Sequence, residues 1–424
     1  MTWFNRWKRR IASALCVPFL CSAFALFGGC GVVRDEKFLL GLCEGMSEVN
    51  IEVENTLTSD YVSDVAGILG VKSYRLWMHF DKLLVRDGGS NKVLLKADNV
   101  EKMHAFIDKL KAQGVERFIC MTSNYLHPYG YEATTNNVIP DPLTEADAYL
   151  AFLQLLGECF RVLAEEFPEI DYFEPTNEPD IANGQNICKN GYIWGGDEGE
   201  NADYLFSTED GAHIVADMSW YVTKAVKGVN EKNVVLLPAL CGYSSTEYYL
   251  DEIYNAIEDK SLPTGEKVAD LNPDHYFEIL NWHPYLLGEG ESQMNEDWVA
   301  LQKRIYAVAE AHGDGGKKVW FTEMGFTDLD SSVLEEEMAE NMTKFFDYVK
   351  NDLKFVETVF VFRVTELIEA PMSDFEDNFG LFRSLNDPDE SKRGEPKPIV
   401  IALYQWFKGK EADLSPLYKY ASVK

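Results

Sequence analysis

The sequence predicts an α/β chain folded as a single (β/α)8 barrel with an extended loop after the fourth strand. Three observations point there. Apolar runs of strand length alternate eight times with amphipathic runs of helix length, the pattern of parallel β–α units. No glycine-rich dinucleotide or phosphate-binding fingerprint opens any helix, which disfavours an open doubly wound sheet. The 424 residues, 46% hydrophobic and 26% charged, have the composition of a soluble globular protein and the length of one large barrel.

The first segment stands outside this alternation. Arg6, Lys8, Arg9 and Arg10 precede an apolar run over 11–27, and Gly28, Gly29 and Cys30 supply small residues after it. That is the pattern of an export signal. Leu26-Phe27-Gly28-Gly29-Cys30 resembles a bacterial lipobox whose leucine sits one position early. Residues 1–29 are therefore expected to be a signal peptide, Cys30 the lipidated first residue, 30–37 a short leader, and 38–424 the barrel. The expected location is the bacterial cell surface or periplasm, with plain secretion as the alternative. Membrane contact is expected only through a lipid on Cys30.

The barrel elements follow in order. Strand one is expected at Phe38–Leu42 and helix one at Ser59–Leu69, stopped by Gly70. Strand two is Ser73–Trp77. Helix two spans Val100–Gln113, with Val100, Met103, Ile107 and Leu110 on one face before Gly114. Strand three is Arg117–Met121. Helix three starts at a Thr144 cap and turns Leu150, Leu153, Leu156, Phe160 and Leu163 to a core. Strand four, Tyr172–Pro175, runs into Thr176-Asn177-Glu178-Pro179, and helix four covers Gly211–Val229. Strand five is Val234–Ala239, helix five Thr246–Ile257, and strand six Phe277–Trp282. Helix six buries Trp298, Leu301, Ile305 and Val308. Strand seven is Lys318–Glu323, and helix seven buries Leu334, Met338, Met342, Phe345 and Val349. Strand eight is Thr358–Phe362, and the last helix is Pro398–Phe407. The longest insertion, Pro179–Ser207, follows strand four, carries Tyr192 and Trp194, and is expected to roof the cleft on the active face.

Charge narrows the partners. Four of the 39 basic residues and none of the 70 acidic ones lie in residues 1–29, so the remainder carries a net charge of −35. Such a surface repels nucleic acid and anionic membranes and argues against a polyanionic substrate. Cys43, Cys120, Cys159, Cys188 and Cys241 are scattered and odd in number. They read as buried small hydrophobes, with one disulfide open, rather than as a disulfide framework or a zinc site.

Two of the many carboxylates stand out by position. Glu178 ends strand four and Glu323 ends strand seven, and strand ends on the C-terminal face are where barrels place catalytic groups. These strands face each other across a barrel, so both side chains can reach one cleft. A glycosidic bond needs such a pair: an acid to protonate the leaving oxygen and a carboxylate to attack, or activate water at, the anomeric carbon.

Glu174-Pro175-Thr176-Asn177-Glu178-Pro179 resembles the Asn-Glu-Pro motif of clan A glycoside hydrolases. Val319-Trp320-Phe321-Thr322-Glu323-Met324-Gly325 resembles the strand-seven nucleophile motif of that clan. Order, strand assignment and the 145-residue separation agree, over about Phe38–Lys408, and families 39 and 5 are the nearest in look. The resemblance implies retaining hydrolysis of a β-linked oligo- or polysaccharide. Glu178 would be acid then base, Glu323 the nucleophile, and Asn177 the partner of the sugar 2-hydroxyl. Arg75 would sit beside the nucleophile, with a barrel-interior ion pair to Glu174 as its plain alternative. Tyr285 would bond the nucleophile, and His283 would contact substrate. His127, Trp77, His79 and Trp194 are further candidates for sugar contact. Retention implies carboxyl groups about 5–5.5 Å apart, inversion about 6.5–9.5 Å. One departure stands out: clan members usually end strand eight with a tryptophan platform, and Val361-Phe362-Arg363-Val364-Thr365-Glu366 contains none.

No cofactor is expected, and no metal. The seven histidines are scattered, no His-x-His lies on strand one, and Asp197-Glu198-Gly199-Glu200 lacks an EF-hand register. The alternatives are a cell-surface barrel that binds glycan without cleaving it, and a transglycosylase using the same site.

Overall fold

Strands of the parallel sheet alternate with helices that bury one face against it, and this repetition curls the sheet into a barrel. The computed structural model describes residues 38–44, 59–88, 92–123, 125–126, 139–140, 142, 144–180, 208–242, 244–259, 272–286, 294–327, 334–366 and 378–422. The expected signal segment with Cys30, and Cys188, His127 and Trp194, lie outside the described residues. So does the insertion from residue 181 onward.

The chain runs β1 (Leu39–Cys43), α1 (Ser59–Leu69), β2 (Ser73–Trp77), α2 (Phe80–Leu83), β3 (Leu84–Arg86), β4 (Val93–Leu95), α3 (Ala97–Ala112) and β5 (Arg117–Met121). It continues through α4 (Ala146–Glu166), β6 (Tyr172–Glu174), α5 (Thr208–Val229), β7 (Val234–Val235), α6 (Ser244–Asp259) and β8 (Leu280–Asn281). The last elements are α7 (Glu296–Ala311), β9 (Val319–Met324), α8 (Glu335–Asp352), β10 (Val356–Phe362) and α9 (Pro398–Lys408). Eight parallel strands pair in the order β7-β6-β5-β2-β1-β10-β9-β8. The ring closes between the extensions of β7 and β8. Leu236 bridges Ile279 and Leu240 bridges Trp282, and the His283 amide donates to the Leu240 carbonyl at 2.7 Å. The fold is a (β/α)8 barrel.

Strand alternation sorts side chains into two layers. Inside the barrel lie Cys43, Ile119, Leu236, Ile279, Trp320, Phe360, Phe362 and Phe379. Outward-facing residues such as Leu42, Phe173, Leu280, Trp282 and Phe321 pack under the helices. The interior is tight: a Cβ on Gly41 would lie 2.4 Å from the Phe360 ring, so the strand-one glycine makes room for that ring. Gly70 and Gly114, at φ 75° and 91°, end α1 and α3 in the left-handed conformation expected of helix stops.

Three local expectations change. The cap of α4 falls on Glu145, not Thr144; no side chain caps this end, and Asp147 places negative charge in the first turn instead. Leu334 is 59% exposed because it is the N-cap of α8, one residue before the buried face that Met338, Met342 and Phe345 form. The loop after β2 holds a short helix, α2, and an antiparallel hairpin, β3–β4, which strand-helix alternation does not anticipate.

Candidate active site

The C-terminal strand ends converge on one guanidinium. Arg75, on β2, is fully buried. Its Nε and Nη2 donate to both oxygens of Glu174 on β6, at 2.8 and 2.7 Å. Nη2 also donates to Asn177 Oδ1 at 2.7 Å, and Nη1 to Glu323 Oε1 at 2.5 Å. The fork therefore serves both readings of Arg75, the interior ion pair and the partner of the strand-seven glutamate. A planar guanidinium with five fixed donors suits this; a lysine could supply charge but not four directed bonds. Oδ1 of Asn177 faces a cation, so its amide nitrogen is the end left for another partner.

Glu178 occupies a strained backbone position. Its φ of 44° lies in the left-handed region that side chains other than glycine avoid, and Pro179 restricts it further. Neighbours hold it there. The Glu178 amide donates to the Ala239 carbonyl at 2.8 Å. Two residues on, buried Asp180 accepts from the Cys241 amide at 2.8 Å and from Thr246 Oγ1 at 2.7 Å. That clamp ties the segment to the stretch between β7 and α6 and to the start of α6. Gly242 completes the fit: at φ 73°, a Cβ there would lie 2.3 Å from the His283 carbonyl oxygen.

Glu323 reaches the cleft through a bulge. Val359 pairs with Phe321 and Val361 with Met324, so three residue steps of β9 match two of β10. An extra residue re-aims side chains. Trp320 faces the interior, and strict alternation would send Thr322 inward and Glu323 out to the helices. Thr322 keeps its inward place, and the bulge turns Glu323 inward as well. Thr322 meets β8, and Glu323 meets Arg75. Tyr285 donates to Glu323 Oε2 at 3.0 Å, and the Cys43 thiol lies 4.0 Å from Oε1.

His283, fully buried, links the two glutamates. Its Nδ1 lies 2.8 Å from Glu178 Oε1 and 3.6 Å from Glu323 Oε2. Burial pushes the Glu178 carboxyl up to about 7, with Arg75 opposing and Glu174 reinforcing the rise. Burial also pushes His283 down to about 4, against the pull of Glu323. Near neutrality the pair holds a neutral imidazole beside a carboxyl poised to give or take a proton. Burial raises Tyr285 well above its ordinary range, so it stays a donor to Glu323. The Cys43 thiol is pushed up to about 12 by burial and by Glu323, and it remains protonated.

One ligand atom from each of Glu178, His283 and Glu323 lies within 4.8 Å of the others, a spacing a divalent cation could bridge. Arg75 already places a positive charge on Glu323, which opposes a second cation there. A separate cavity of about 630 Å³ opens at the other end of the barrel, among Arg117, Tyr172, Lys318 and Glu357. It lies at the strand starts, the end of such barrels that serves stability.

The structure thus brings together Arg75, Asn177, Glu178, His283, Tyr285 and Glu323. Trp77 is half-buried, with the Arg75 guanidinium 5.9 Å from its ring centre, and His79 packs on it at 5.6 Å. At the end of strand eight, Phe362 packs on Phe379, which contacts Tyr285. Arg363 pairs with buried Glu44 at 3.3 Å, and Glu366 pairs with Lys397 and Arg383. Sequence reasoning passed over Asp180, Thr322, Asn281 and Cys43. The available signal for Asp180 was its place two residues past Glu178. For Thr322 it was alternation from Trp320 and its place beside Glu323 in the strand-seven motif.

No protein-family model and no curated protein matches the chain. Solved structures are similar to it. One is a family 39 glycoside hydrolase from the gut symbiont Bacteroides cellulosilyticus WH2, at 15% identity and TM-score 0.55, covering 88% of this chain and 64% of that one. A second is a family 5 enzyme, GH5_18, from Bifidobacterium longum subsp. longum ATCC 55813 in complex with Manβ1-4GlcNAc. It shows 12% identity and TM-score 0.57, covering 88% of this chain and 79% of that one. A third is a family 5 xyloglucan-specific endo-β-1,4-glucanase from a metagenomic library, in complex with cellotriose, at 16% identity and TM-score 0.54, covering 88% and 97%. The chain spans less than two thirds of the length of the first. At these identities the likeness establishes the shared barrel, and the families are the two that the Asn-Glu-Pro and strand-seven motifs resemble.

Proposed function

We propose that this chain is a retaining glycoside hydrolase acting on a β-linked glycan. The observation that carries the reading is the pair of unlike carboxylates. One oxygen of Glu178 and one of Glu323 lie within 4.8 Å, a close approach that supports the short carboxyl spacing of retaining enzymes, roughly 5–5.5 Å. One carboxyl is raised to about 7, and the other is held by Arg75 and Tyr285.

In the first step Glu323 attacks the anomeric carbon as Glu178 passes its proton to the leaving oxygen. The C–O bond breaks and a glycosyl ester forms on Glu323. In the second step Glu178, now a carboxylate, takes a proton from water, which opens the ester and regenerates both groups. In this reading the Asn177 amide nitrogen bonds the sugar 2-hydroxyl, since its Oδ1 is taken by Arg75. Trp77 and His79 supply a sugar-facing edge, with His127 and Trp194 as further contacts.

The strongly acidic chain favours a neutral glycan. The ligands seen in the similar family 5 structures favour β-1,4-linked glucosyl or mannosyl units. Export with a lipid on Cys30 belongs to the same reading, since polymeric glycans are met outside the cell. The test is covalent trapping with 2-deoxy-2-fluoro-β-glucosyl and β-mannosyl fluorides. Intact-mass analysis should show one added glycosyl unit, mapped to the Glu323 peptide and missing in Glu323→Gln. Hydrolysis that releases the inverted anomer and leaves no adduct would overturn the proposal.

A further inference from the structure

Behind the acid/base glutamate lies a buried polar chain with a defined direction. Asn281, Thr322 and His283 are each fully buried. Thr322 Oγ1 donates to Asn281 Oδ1 at 2.9 Å, and the same oxygen lies 3.0 Å from His283 Nε2. A hydroxyl has one proton. With it committed to Asn281, Thr322 can only accept from His283, which puts the imidazole proton on Nε2. Nδ1 is then a bare acceptor, 2.8 Å from Glu178 Oε1.

We propose that Thr322 is a positioning residue for the acid/base step: it locks His283 in the Nε2–H form, whose free Nδ1 holds the proton on Glu178. The proposal rests on the reading of Glu178 as acid/base and deepens it. The other end of the imidazole cannot do this alone. If Nδ1 carried the proton, it would donate to Glu178 and favour the carboxylate, the form that cannot protonate a leaving group. The direction of the chain follows from Asn281. With its amide reversed, Nδ2 would donate to Thr322, Thr322 to Nε2, and Nδ1–H to Glu178. Asn281 turns Oδ1, not Nδ2, toward Thr322, which is the first direction.

Other charges face this pair and bound what Thr322 contributes. Glu323 lies 3.6 Å from Nδ1. Arg75 and Glu174 act on both Glu178 and His283 from β2 and β6. Asp180 couples to Glu178 from the next turn, and the Tyr285 hydroxyl is committed to Glu323. None of these touches Nε2. Thr322 is the contact that distinguishes the two imidazole nitrogens.

The experiment uses the full chain labelled with ¹⁵N-histidine, comparing wild type, Thr322→Val and Thr322→Ser, with His283→Gln to assign the signal. In wild type and Thr322→Ser, Nε2 of His283 should be protonated and Nδ1 bare at pH 6–7; in Thr322→Val that preference is lost. In parallel, kcat/KM at pH 7 for aryl glycosides with poor leaving groups should fall about fivefold in Thr322→Val, and about tenfold at pH 8, for a one-unit downward move of the basic limb. It should change less than twofold for a dinitrophenyl glycoside, which needs little acid assistance, and Thr322→Ser should stay near wild type on both. An Nδ1–H tautomer in wild type, or an unchanged tautomer and basic limb in Thr322→Val, overturns the proposal. The tautomer is read without turnover, so a chain that cleaves no glycoside would sink the functional reading and leave the tautomer assignment to stand or fall by itself.

Discussion

Replacing Arg75 with methionine removes the one cation that two buried carboxylates share. Glu174 has no exposed side-chain surface and Glu323 has 8%, so water cannot take over. Removing one partner of a buried ion pair costs about 3–5 kcal/mol. For a domain of about 390 residues, at about 2.1 cal/mol/K each, the unfolding entropy near the midpoint is about 0.8 kcal/mol/K. The melting temperature should therefore drop by about 4–6 °C. The same change frees Glu323 Oε1 and Asn177 Oδ1, so turnover should fall at least about 10²-fold, the scale of losing a directed electrostatic donor in an active site. Arg75→Lys keeps the charge and loses the fork; it should recover most of the stability and little of the rate. Scanning calorimetry and initial rates on an aryl β-glycoside measure both quantities. A methionine variant melting within 1 °C of wild type and turning over within tenfold of it would refute the account of Arg75 as the hub of the strand ends.

The pH profile should report Glu178. A carboxyl raised to about 7 carries its proton below that value and loses it above, so kcat/KM on poor leaving groups should decline above about pH 7. Glu178→Gln should remove that limb and keep substantial activity only on dinitrophenyl glycosides. The strained backbone should show in stability: Glu178→Gly relieves a φ of 44° and should melt about 1–4 °C above Glu178→Ala, from about 1–3 kcal/mol of released strain. Equal melting points for the two would mean the segment carries no strain at that residue.

Much of the barrel was legible because alternation and length are strong signals. Strands at Ser73–Trp77 and Arg117–Met121 and the helix at Ser59–Leu69 stand where the sequence places them. Signals that depend on a single residue fared worse. Thr144 is a good cap by type, yet the helix begins one position later; Leu334 fits the apolar stripe and ends up outside it as a cap. At the site, residues at strand ends were legible by address, as with Glu178, Glu323 and Arg75. Those that act through them were not. Asn281 carries no motif, and Thr322, though inside the strand-seven motif, acquires its meaning only from the contact between β8 and β9. The inward turn of Glu323 itself depends on a register shift against β10 that no property of β9 alone announces.

That register shift makes the count of residues in β9 as important as their kind. Thr322 and Glu323 are neighbours in sequence, yet both face the barrel axis, which a regular strand forbids. Shortening β9 by one residue ahead of Thr322 would straighten the ladder and put one of the two among the helices, with every side chain type unchanged. The site would lose either the nucleophile position or the tautomer-setting hydroxyl, by a deletion of one codon rather than by any substitution. Barrels of this shape that keep the motif but lack the extra residue would then be expected to hold the letters of the site without its geometry.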